Sequence, residues 1–158
     1  MAQKPLAVRM LEQRKIPHEV FHFDDAIRSA AGVAEQAGVD PALVYKTLVI
    51  EDESARGKPY LVMVPADTEV DLKVLAQSLA IRKLRMASQR DAERLTGLKV
   101  GGISALALLQ KRFPTLIDER ALRQSHIMVS AGQRGFDVRL AVDDLVALCE
   151  ARPVRVTA

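Results

Sequence analysis

Tryptophan is absent from the chain, aromatic residues make up 4% of it, and there is a single cysteine, Cys149. Each shortage excludes something. One thiol cannot build an intrachain disulfide framework, so a reducing compartment is expected. Few aromatics leave little material for the stacking platforms that read single-stranded RNA bases. The core must come instead from Leu, Val, Ile, Ala and Met. No run approaches the roughly 18 apolar residues of a membrane span. The opening MAQKPLAVRMLEQRK is charged too densely for a signal peptide. The expected location is cytoplasmic, with no membrane partner.

Cofactor and metal motifs are also missing. There is no GxGxxG and no GxxxxGK[ST]. His18, His22 and His126 form no HExxH pattern and have no cysteine companions. No metal and no cofactor are expected. A nucleophile is hard to find as well. Gly102-Ile103-Ser104-Ala105-Leu106 begins like G-x-S-x-G but lacks the closing glycine that a strained elbow needs, so Ser104 reads as a polar loop residue. Cys149 shares a helical pattern with Leu145 and Leu148 and reads as a small core residue. The GQRG stretch, Gly132 to Gly135, reads as a hairpin turn.

What is present suits one globular domain over residues 1–158, with 49% hydrophobic and 27% charged residues. The net charge of +3 hides an asymmetry, because Arg82 to Arg123 carries ten Lys or Arg against four Asp or Glu. A basic segment suits a polyanion partner, or is only a solvated surface; both readings stand.

Proline and glycine punctuate the rest. Pro5 to Lys15 reads as a helix with Leu6, Met10 and Leu11 on one side, and His18 to Phe23 as a strand. Ser29 caps a helix ending at Gly38, and Asp40-Pro41 starts a single turn. After the strand around Lys46 come a polar loop, EDESARGKP, and a strand from Tyr60 to Val64. Asp71 opens a helix with Leu72, Leu75 and Leu79 at helical spacing, Lys83 to Ala87 is a strand, and Ser88 with Asp91 resembles a capping box. That helix ends at Gly97. Strands follow at Thr115–Asp118, His126–Ser130 and Phe136–Leu140, then a helix from Val142 to Glu150. Interleaving of this kind is mixed α/β.

Within VYKTLVI, Val44 to Ile50, alternation puts Lys46 on the face of Val44, Leu48 and Ile50, with Tyr45, Thr47 and Val49 opposite. Both faces read as buried, so the ammonium needs a partner or a cleft. Gly101-Gly102 lets the backbone approach a ligand and offer N–H groups to a developing oxyanion. Asp137 can accept from an amine or a ribose hydroxyl. Each has a plainer reading. Lys46 snorkels to the surface, the glycines only bend the chain, and Asp137 pairs with Arg134 or Arg139.

The segments VYKTL (Val44 to Leu48), VGGIS (Val100 to Ser104) and VSAGQRGFD (Val129 to Asp137) resemble the YbaK family. KRFPTLID (Lys111 to Asp118) and DLKVLAQSLA (Asp71 to Ala80) support the match, which runs from Leu6 to Leu148. These are free-standing aminoacyl-tRNA deacylases related to the editing domain inserted in prolyl-tRNA synthetases. The resemblance implies a curved mixed sheet flanked by helices. It implies an enzyme that removes mischarged cysteine, or a similar small amino acid, from tRNA(Pro) by cutting its ester to the terminal adenosine. It carries catalytic roles to Lys46, Gly101 and Gly102, the glycines as backbone donors. It carries substrate contacts to Phe23, Thr47, Ile103, Ser104, Ser130 and Asp137. The thiol of the bound cysteine would attack its own ester, with an activated water as the competing route. Expected partners are the tRNA acceptor end and, as a recruiter, prolyl-tRNA synthetase. Ala105 stands where the family usually has proline, and Phe23 where a tyrosine is common. A non-catalytic module that holds tRNA or a synthetase is the alternative, and a hydrolase for a small free ester is a weaker one.

Overall fold

The computed structural model describes residues 4–24, 26–54 and 57–158. Helix α1 (Leu6–Gln13) buries Ala7, Val8 and Leu11 and leaves Leu6 58% exposed. Leu11 is buried and Met10 packs against the core as expected, while Leu6 faces solvent and Ala7 and Val8 take its place. Strand β1 (His18–His22) follows. The Ser29 hydroxyl accepts the Gly32 N–H at 3.0 Å and opens α2 (Ala30–Ala37). Asp40 caps a short turn, Pro41–Leu43, that leads into β2 (Tyr45–Asp52). The polar loop expected before β3 (Tyr60–Pro65) includes Ala55 and Arg56, which lie outside the described residues.

Asp71 accepts from Lys73 and Val74 N–H at the start of α3 (Leu72–Leu79). After β4 (Leu84–Met86), Ser88 accepts the Asp91 N–H at 3.1 Å and starts α4 (Gln89–Thr96). Each such cap contributes about 1 kcal/mol. The Asp91 carboxylate turns to Arg94 instead of completing the capping box. β5 (Thr115–Asp118), β6 (His126–Ser130), β7 (Phe136–Ala141) and α5 (Val142–Cys149) complete the expected series. Three elements are additions: helical turns at Leu106–Lys111 and at Glu119–Arg123, the second capped by Asp118, and β8 (Arg152–Val154). β8 runs parallel to β5 at a sheet edge, where Pro153 removes no ladder bond.

The class is the mixed α/β one expected, with the strands divided between two sheets. One is antiparallel, β1-β7-β6; the other is mixed, β4-β2-β3-β5-β8. Among the described residues, one isolated parallel bridge, Val44 to Met128, joins them. The largest core cluster draws on both sheets, including Tyr45, Val49, Ile117, Val129, Val138 and Leu140. A second lies under α3 with Leu48, Ile50, Val62 and Leu75; a third lies under α2 with Val33, Val44 and Met128. Both faces of β2 are therefore covered, which produces its unbroken apolar run. Among the described residues, no helix is long and apolar enough to cross a membrane.

Candidate active site

Lys46 occupies a gap in this packing. On its strand face, Val44 joins the cluster under α2, while Leu48 and Ile50 join the cluster under α3. Lys46 falls between them, belongs to neither, and is half-buried. Its Nζ reaches the Ala66 carbonyl at 3.5 Å, a weak contact, and it makes no ion pair among the described residues.

The edge of β2 explains why space exists there. β4 pairs only with Ile50 to Asp52, and the bridge to β6 sits at Val44. Between these contacts, Tyr45 to Leu48 pair with β3 on one edge and, among the described residues, with no strand on the other. A cavity of about 330 Å³ opens along this stretch. Its walls include Lys46 and Thr47 from β2, Arg28 to Ala31 around the start of α2, Met86, Ala87 and Gln89, Gly101 and Ile103, and Ser130 with Asp137.

Six of the nine expected site residues thus meet: Lys46, Thr47, Gly101, Ile103, Ser130 and Asp137. Three do not line the cavity. Phe23 packs in the cluster under α2, stacked on Phe21. Ser104 is fully buried, and its hydroxyl accepts the Ala107 N–H at 3.4 Å. Gly102 is buried, and its N–H donates to the Lys99 carbonyl at 2.8 Å, so it has no donor to offer a ligand. It serves packing instead. A Cβ there would lie 2.9 Å from the Arg134 nitrogen, so only glycine lets the β6–β7 turn come this close. Gly101 has φ +92°, in the range that disfavours side chains. Among the described residues, the N–H groups of Gly101 and Ile103 find no acceptor. They replace Gly101 and Gly102 as the available donor pair.

Asp137 pairs across the hairpin with Ser130 and is 7% exposed. Neither arginine expected to neutralise it does so. Arg139 pairs with Glu19 at 3.1 Å, and Arg134 Nε donates to the Val100 carbonyl at 2.7 Å. It makes no ion pair among the described residues, and burial pushes the carboxyl up to about 6. Burial also pushes the Cys149 thiol up to about 12. Tyr45 rises to about 12 through burial first and then the Asp118 carboxylate. Neither group ionises near neutrality, so neither is an activated nucleophile or base.

The sequence reading missed Arg28, Met86 and Gln89 on the cavity wall. Arg28 precedes the Ser29 cap, but no local signal marks it as a wall residue. Glu93 was missed too; its carboxylate accepts the Val100 N–H at 2.8 Å.

Comparisons with known proteins agree on one group. The family model described as the aminoacyl-tRNA editing domain matches residues 24–148. A protein of Enterococcus faecalis, provisionally named Cys-tRNA(Pro)/Cys-tRNA(Cys) deacylase EbsC, is 35% identical over 98% of this chain and 94% of its own. The prolyl-tRNA editing protein ProX of Acetoanaerobium sticklandii is 23% identical over 96% of this chain and 93% of its own. A solved structure, described as that of a candidate trans-editing enzyme for prolyl tRNA synthetase, shares the fold. Its TM-score is 0.81 at 23% identity, over 99% of both chains.

Proposed function

The chain belongs to the aminoacyl-tRNA editing domain family, and from that premise we propose that it is a trans-editing deacylase that removes mischarged cysteine, or a similarly small amino acid, from tRNA(Pro), with the cavity along β2 as the place of ester cleavage. One observation carries the reading. Lys46, Gly101 and Asp137 come from three distant parts of the sequence and line one cavity. In this reading the chain is one deacylase domain, supported by a largest core cluster that draws on residues from Ala7 to Ala151.

Asp137 holds the α-ammonium of the aminoacyl group; a buried carboxylate without a counter-ion gains most from a cation. Lys46 faces the oxygens of the ester and the terminal ribose. The N–H groups of Gly101 and Ile103 receive the carbonyl oxygen as it becomes an oxyanion. The thiol sulfur of the bound cysteine attacks its own carbonyl carbon. As the new S–C bond forms, the C–O bond to the ribose breaks. The thiol proton ends on the departing ribose oxygen, and the products are a cysteine thiolactone and free tRNA.

This route also explains how so plain a pocket discriminates. Its wall is built of small groups such as Ala31, Val33, Ala66, Ala87 and Ala92. Sorting a thiol from a methyl group by size yields only about 1–3 kcal/mol. A substrate that supplies its own nucleophile adds a chemical filter, because an alanyl ester has none. The segment from Arg82 to Arg123 forms part of the cavity wall, and its basic side chains meet the acceptor-end phosphates. Recruitment by prolyl-tRNA synthetase supplies the tRNA selection that so small a chain cannot make at the anticodon.

Single turnover on Cys-tRNA(Pro) tests the reading. Wild type is expected to release free tRNA, and Lys46→Ala to do so at least about 100-fold more slowly. Equal rates in the two proteins would overturn it. Replacing the substrate thiol by a methyl group is expected to stop turnover, whereas attack by water would let it survive.

A further inference from the structure

We infer that Arg134 is a positioning residue that strengthens the Gly101 N–H as a hydrogen-bond donor, and that Glu93 holds the turn on which this depends. The inference rests on the reading of the cavity as the site of ester cleavage.

The geometry centres on Val100. Its N–H donates to the Glu93 carboxylate at 2.8 Å, and its carbonyl accepts from Arg134 Nε at 2.7 Å. One residue is thus gripped from α4 on one side and from the β6–β7 turn on the other. The two grips act on different peptide units. The Val100 carbonyl and the Gly101 N–H belong to the same unit. A guanidinium on that carbonyl draws electron density toward oxygen and leaves the N–H more positive. This N–H has no acceptor among the described residues and belongs to a residue lining the cavity.

Glu93 acts one unit earlier. A carboxylate on the Val100 N–H makes the Lys99 carbonyl a better acceptor. That carbonyl receives the Gly102 N–H at 2.8 Å and closes the turn. Gly102 completes the arrangement, because its missing side chain admits the Arg134 backbone. Arg134 also sits in the hairpin turn between β6 and β7, which carry Ser130 and Asp137. Its contact therefore ties the ammonium-binding carboxylate to the oxyanion donor. No part of this requires Arg134 to touch substrate.

Arg134→Met keeps the aliphatic stem and removes the charge. In single-turnover and steady-state assays on Cys-tRNA(Pro), kcat is expected to fall about tenfold with KM within about twofold, since deleting an oxyanion donor outright costs roughly 100- to 1,000-fold. Arg134→Lys should recover part of the loss, and Glu93→Gln, which keeps an acceptor, should retain most activity. A role through the shared peptide unit also moves the Gly101 amide nitrogen resonance upfield in Arg134→Met. Wild-type kcat, a defect confined to KM, or a kcat loss with an unmoved Gly101 resonance would each overturn the inference. Should Arg134→Met fail to fold, the same readings on Arg134→Gln decide. Lys46→Ala run in parallel separates the two levels. If it stays active, the site reading has failed; if it is dead while Arg134→Met matches wild type, only this inference has.

Discussion

Asp118 and Asp137 are almost equally hidden, 1% and 7% exposed, yet their surroundings differ completely. Asp118 accepts the Arg120 N–H at 2.9 Å, and its two oxygens take Arg120 Nε and Nη2, the closest contact being 2.6 Å. Arg120 in turn donates to Thr68 at 2.9 Å. The cluster ties the end of β5 to the loop after β3, the loop whose Ala66 carbonyl faces Lys46. Asp137 has no such partner, although Arg134 and Arg139 lie near it in sequence. A buried carboxylate with its cation in place is architecture. One whose potential partners are engaged elsewhere, on a cavity wall, is in our proposal the charge kept for a ligand.

The sharpest way to break this contrast is to remove each charge in turn. Asp137→Asn is expected to slow single-turnover deacylation about 100-fold while leaving thermal stability unchanged or higher, because it removes a desolvated charge. A variant with wild-type rate would return Asp137 to the framework. Asp118→Ala should do the reverse. It is expected to cost about 2 kcal/mol of stability, less than a fully buried pair, because the Arg120 side chain is 44% exposed and can turn to water. Its rate per folded molecule should stay within about threefold, judged by denaturant unfolding beside the same assay.

Smaller in size is the pH signature. Burial pushes the Asp137 carboxyl of the folded protein up to about 6, from 3.8 for the ordinary group. The folded state then holds a proton that the unfolded chain has lost. Stability from this group is fully present below pH 3.8 and is lost as pH rises through about 6. The slope within that window reaches at most about 1.4 kcal/mol per pH unit. Asp137→Asn should remove this component from unfolding curves measured across the window. An unchanged slope would mean that the carboxyl has a partner after all.

The same contrast shows what the sequence makes legible. Caps at Ser29, Asp40, Asp71 and Ser88 are local, closing within three residues, and each opens the expected element. Lys46 stood out because a charge broke an apolar run, and the resemblance drew Gly101 and Asp137 to it. What stayed hidden depends on distant partners. Nothing near Arg134 shows that it reaches Val100 rather than Asp137, and nothing near Gly102 shows that its N–H closes a turn. Ser104 and Phe23 belong to motif segments or strand ends, yet packing turns both away from the cavity. β8 was missed for a related reason. Three residues containing a proline carry no strand pattern, and only the free edge of β5 gives them one.

The measurement closest to the centre of this account is a carboxyl titration of Asp137 by NMR, free and with the non-hydrolysable 3′-amide analogue of cysteinyl-adenosine. The free protein should titrate near about 6. With the analogue bound, its ammonium should hold the carboxylate charged and pull the midpoint well below that value. A midpoint that stays put while the analogue is bound would contradict the assignment of this cavity to the aminoacyl end of tRNA.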